Sequence, residues 1–89
     1  MSKGIEEILK DRQKDYGDAK DSWERIGRGW GAILKIDDIP APVVGLMMDF
    51  LKTIRLAKNI SHIDSWDDKD GYTELAREIV MEDLNEHQE

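Results

Sequence analysis

The chain has 89 residues, no cysteine, and 20 acidic against 13 basic side chains, for a net charge of −7. That length fits one domain, and the lack of cysteine excludes disulfides and a thiolate zinc site. The acidic balance excludes a general nucleic-acid binder, which needs a basic face to neutralise phosphates, and no apolar run approaches the roughly 20 residues of a membrane span.

Hydrophobic spacing predicts an all-α domain over residues 1–89, with four helices running up and down and no useful strand alternation. The first helix is expected from Lys3 to Tyr16, with Ile5, Ile8, Leu9 and Tyr16 on one face and Gly17 as its stop. The second runs from Asp21 to Lys35. Asp21 and Glu24 suit a capping box, and Trp23, Ile26, Trp30, Ile33 and Leu34 form the apolar stripe. Gly27, Gly29 and Gly31 each weaken such a helix by roughly 1 kcal/mol relative to alanine, which points to close approach of another backbone.

The connector Ile36-Asp37-Asp38-Ile39-Pro40-Ala41-Pro42 stops this helix. The third helix is expected from Pro42 to Lys58, with Val43, Met47, Phe50, Ile54 and Ala57 as its core face and Val44, Leu46 and Leu51 widening it. Met48, Lys52, Arg55 and Asn59 form a second line beside that face. A turn about residue 62 leads to the fourth helix, which begins near Ser65 and carries Tyr72, Leu75, Ala76, Ile79 and Val80 on its core face. The tail from about residue 85 is expected to fray. The short connector makes the third and fourth helices an antiparallel hairpin. Lys52 then lies level with Tyr72, and Arg55 and Lys58 lie near Asp64 and Asp68.

Chemistry concentrates on this hairpin. The helical angle of Asp68 places it on the face of Tyr72 and Leu75, where a carboxylate needs a partner. Two roles are open. Asp68 pairs with Arg55, Lys52 or Arg12 and is largely buried, or Asp64 and Asp68, one turn apart, hold a divalent cation such as Mg2+. Arg12 and Tyr16, with Lys52, Arg55 and Tyr72, form a candidate lining for an anionic ligand, because guanidinium groups meet phosphate oxygens in pairs. Trp23 and Trp30 fit the core. Trp66 stands apart from the stripe.

The run Arg12-x-x-x-Tyr16-Gly17, then a tryptophan-bearing helix, Met47-Met48-x-x-x-Lys52-x-x-Arg55-Leu56 and His62-Ile63-Asp64-Ser65-Trp66-x-Asp68-x-x-Gly71-Tyr72 resembles a small domain family common in phage genomes. The resemblance covers roughly residues 5 to 80 and implies a phage product working in the host cytoplasm. That family is in turn similar in size and helical pattern to MazG-like all-α nucleoside triphosphate pyrophosphohydrolases. Those enzymes hold magnesium with Glu-x-x-Glu and Glu-x-x-Asp pairs on neighbouring helices. Here the third helix carries one carboxylate, Asp49, and the usual pattern is incomplete.

Two functions follow as expectations. One is a nucleotide-binding protein that hydrolyses or sequesters its ligand. The other is an acidic protein that binds and inhibits a host protein without catalysis. Apolar residues on more than half the circumference of the third helix predict a homo-oligomer, most simply a dimer, that completes the bundle.

Overall fold

The computed structural model of the chain describes residues 4–86, with the side chains of Ile8, Leu9 and Arg12 outside the described set. Among the described residues all regular structure is helical: α1 over Ile5–Leu34, α2 over Ala41–Lys58 and α3 over Ile63–Glu86. The all-α class stands, and α2 and α3 form the expected hairpin. The predicted start at Lys3 and the tail residues 87–89 lie outside the described residues.

The first two predicted helices are one continuous helix of 30 residues. Gly17 stops nothing, because a glycine stop requires a left-handed backbone and no described glycine has positive φ. The apolar phase also runs through it. Tyr16, Trp23 and Trp30 are seven apart and all pack on the same core, so one stripe serves the whole length.

The helix ends at Lys35, which takes the left-handed conformation at φ 58° and ψ 43°. Its N–H bonds the Ala32 carbonyl at 3.3 Å and the Ile36 N–H bonds the Gly31 carbonyl at 3.0 Å. This is a Schellman closure with lysine where glycine is usual. The connector then doubles back along α1, and the Ile39 N–H reaches the Gly27 carbonyl at 3.1 Å. A Cβ on Gly27 would overlap the Ile39 carbonyl oxygen, and one on Gly31 would lie 2.8 Å from the Asp37 oxygen. Close backbone approach therefore accounts for both glycines. Gly29 faces open space, and nothing in the structure explains it.

Helix α2 presents the opposite face to that expected. Ala41, Val44, Gly45, Asp49 and Leu56 are buried, whereas Val43, Met47, Phe50 and Ile54 are exposed, Phe50 to 61 %. The reason is steric. A Cβ on Gly45 would lie 2.7 Å from the Trp23 ring and 3.0 Å from the Ala76 methyl. Small residues let α2 lie directly on Trp23 and α3, and a face of large side chains would hold the helices apart. The core is Trp23, Ala41, Val44, Ala76 and Ile79. Tyr72 and Leu75 are half-buried against it as expected. Val80, Ile33 and Leu34 are exposed, because the core is too thin to reach them.

The hairpin turns at 59–62. The Asn59 N–H bonds the Arg55 carbonyl at 3.0 Å and the His62 N–H bonds the Asn59 carbonyl at 3.1 Å. Helix α3 starts at Ile63, ahead of the predicted Ser65. His62 is its cap: Nδ1 accepts the Ser65 N–H at 3.2 Å and lies 2.7 Å from Ser65 Oγ. Histidine thereby does the work usually left to serine or aspartate, and Ser65 sits buried inside the first turn. The exposed Trp66 indole donates to the Ile60 carbonyl at 2.9 Å and ties the turn to α3.

The glycine contacts yield opposite outcomes at neighbouring positions. Gly27→Ala must part α1 from the connector, which costs about 1–3 kcal/mol or more. Gly29→Ala meets no obstacle and raises stability by about 1 kcal/mol through helix propensity. Thermal melts should move by about 4–8 °C per kcal/mol, downward for the first and upward for the second.

Candidate ligand site

Because α2 turns its small face inward, its one carboxylate is carried into the α2–α3 interface. Asp49 is 8 % exposed. Lys69 and Thr73, one turn apart on α3, both bond its carboxylate. Burial pushes the Asp49 carboxyl up, but the bonds from Lys69 and Thr73 and the Lys69 charge more than offset this, so it is held below the ordinary 3.8. This clamp escaped the sequence reading, which placed the buried carboxylate at Asp68. The available signal was the small residues Ala41 and Gly45 in line with Asp49, Lys52 and Leu56, a spacing that lets another helix approach closely.

Asp68 does pair with Lys52, Nζ to Oδ2 2.8 Å, but its side chain is 50 % exposed rather than largely buried. The burial lies on the other partner, since Lys52 is only 16 % exposed. A lysine stem covers apolar surface while its ammonium reaches outward to the carboxylate. Arg55 forms no ion pair with any described residue.

Lys52, Arg55 and Tyr72 line one groove with Met48 and Leu51, of about 360 Å³. Its floor is firm, because the Tyr72 ring packs edge-on to Trp23 at 6.2 Å between centroids and 64° between planes. The groove thus brings three of the five expected ligand residues together. Tyr16 is not among them. It packs on the same core but lines a separate, wider groove of about 700 Å³ between α1 and the end of α3. There its hydroxyl donates to Glu82, which Lys20 approaches at 3.5 Å. Burial and that bond push the Tyr16 phenol up, while the bond holds the Glu82 carboxyl down. The Arg12 side chain lies outside the described residues.

Asp64 is exposed in the first turn of α3, and Asp68 is engaged by Lys52. Among the described residues no group of three or more metal-ligating side chains stands together. No described helix is long and apolar enough to cross a membrane.

The clamp sets the acid limb of stability. Asp49 titrates below its unfolded value, so its contribution is present above about pH 4 and is lost as pH falls through the folded value. Asp49→Ala should cost about 2–3 kcal/mol at pH 7, less than the loss of a fully buried pair because Lys69 can rehydrate. Denaturant titrations between pH 7 and pH 3 should show wild type losing stability more steeply than the variant.

Residues 1–80 match the model of a domain of unknown function, DUF6378. The chain is also 36 % identical over 77 residues to the Gene 55 protein of Mycobacterium phage L5. That match takes in 85 % of this chain and 49 % of the relative, so the chain spans about half the length of the curated protein it matches. No solved structure matches it. The chain, with its continuous first helix, clamped hairpin and groove, belongs to that family, the DUF6378 domains.

Proposed function

We propose that this domain is a phage-type binding protein for a nucleotide, working as a homo-oligomer in the host cytoplasm. The observation that carries the reading is the α2–α3 groove, where Lys52, Arg55 and Tyr72 converge. Arg55 has no competing carboxylate among the described residues and is free to meet phosphate oxygens in pairs. Lys52 is held by Asp68 at 2.8 Å, so it fixes that wall of the groove and leaves Arg55 to carry the phosphate contact. Tyr72 and Met48 offer a base or sugar an apolar wall. The groove has the scale of small-ligand sites, roughly 300–1,000 Å³.

The MazG-like resemblance rests on the sequence's size and helical pattern, and hydrolysis asks for more. Pyrophosphohydrolysis relies on magnesium to polarise phosphates and activate water. Among the described residues Asp64 and the lysine-bound Asp68 have no third metal-ligating side chain grouped with them. We therefore favour sequestration, with any magnesium arriving on the phosphates of the ligand. A second reading, an acidic inhibitor of a host protein, draws on the net charge of −7. It gives Arg55 no role beyond stability.

Thermal shift against nucleoside mono-, di- and triphosphates, with and without Mg2+, tests the proposal. A ligand at 100 times its Kd stabilises by about 2.7 kcal/mol, a rise of about 10 °C or more for a domain of this size. Arg55→Ala should weaken binding by about 10- to 100-fold while the unliganded melting point stays near wild type. No shift with any nucleotide at millimolar concentration contradicts it.

A further inference from the structure

The chain exposes 7128 Å², whereas a compact monomer of 10.3 kDa exposes about 5,400 Å². Its radius of gyration is 15.3 Å, and its extents of 49 × 44 × 22 Å describe a slab. A compact chain of this length has a radius of about 12 Å. Part of the exposed apolar surface gathers on one helix face. Val43, Leu46, Met47, Phe50, Leu51 and Ile54 are all exposed on α2 and together form its outward face. The charged residues between Val43 and Ile54 are Asp49 and Lys52, and both are paired with α3. The face is therefore apolar and uncharged, on a protein that is otherwise acidic.

We infer that the outward face of α2 is a two-fold interface with a second copy of this chain, the two α2 helices running antiparallel. Three observations select that occupant. The exposed set is symmetric about the midpoint between Met48 and Asp49. A two-fold axis there sets Val43 against the partner's Ile54 at the centre of the seam, with Met47 and Phe50 beside it and Leu46 and Leu51 on its two edges, each edge meeting its own copy, so apolar meets apolar throughout. Such self-complementarity is what an isologous contact requires. Charge points the same way. Two copies of net charge −7 repel through most of their surfaces, and the α2 face brings them together with no carboxylate between them. The area agrees as well. The surface of the whole chain beyond that of a compact monomer, to which the α2 face contributes, exceeds the roughly 800 Å² that each partner of a stable complex buries. The apolar face also continues past Leu46 onto Val80 and Met81 of α3, around a hollow of about 250 Å³. Leu51 stands at the rim that this interface shares with the groove, and the mass of the unliganded chain tests the interface apart from any nucleotide.

Sedimentation of the full chain at micromolar concentration should give twice 10.3 kDa. Phe50→Glu, at a position exposed in the single chain, should halve that mass and leave the helical circular dichroism unchanged. The orientation is readable because the chain has no cysteine of its own. A mixture of Val43→Cys and Ile54→Cys chains should join by a disulfide under mild oxidation. Val43→Cys alone should not, since its copies would stand about 16 Å apart along the seam. A single-chain mass for wild type, an undiminished mass for Phe50→Glu, or ready self-joining of Val43→Cys would overturn the inference.

Discussion

Everything in this structure follows from how closely α2 lies on Trp23. The ring leaves no room for a side chain at Gly45, and Ala76 closes the space from α3. That approach selects the face of α2 made of Ala41, Val44 and Gly45 as the inner one. Once it is inner, Asp49 must be buried, and Lys69 and Thr73 must be where they are to receive it. The same rotation carries Lys52, Arg55 and Tyr72 to one groove and sends Met47, Phe50 and Ile54 outward. Clamp, groove and exposed face are consequences of one helix orientation.

The helical class and the hairpin register were legible because they depend on spacing and connector length. Symmetry about the turn set Lys52 level with Tyr72, and the two share the groove; it set Arg55 and Lys58 near Asp68, whereas the carboxylate pairs with Lys52, one of the three partners the sequence offered. The break at Gly17 was misread because glycine was weighed by type. The seven-residue interval from Tyr16 to Trp23 to Trp30 carries the helix through it. The inner face of α2 was misread for a different reason. Hydrophobicity ranks large residues as core, but here a tryptophan fills the volume and its neighbours must be small. An outward line of large apolar side chains then looks like core when the chain is considered singly.

The glycines of α1 follow the same logic of approach. Gly27 and Gly31 admit the returning connector, whose Ile39 N–H finds its acceptor on the helix itself. This places the start of α2 beside Trp23 and so sets the orientation on which the clamp and the groove rely. His62 fixes the other end of the hairpin by capping α3 with its ring nitrogen. The unusual residues of the chain thus sit where backbone meets backbone or where a helix begins, and the groove between them is built on rigid elements.

The central claim is that Gly45, rather than the large residues of α2, faces the Trp23 ring. Proton–proton Overhauser contacts in solution read this directly. The account predicts strong contacts from the Trp23 six-membered ring to the Gly45 α-protons and the Ala76 methyl, with the Gly45 protons moved by the ring current. Contacts from that ring to Met47 or Phe50 instead, with Gly45 unshifted, would contradict it.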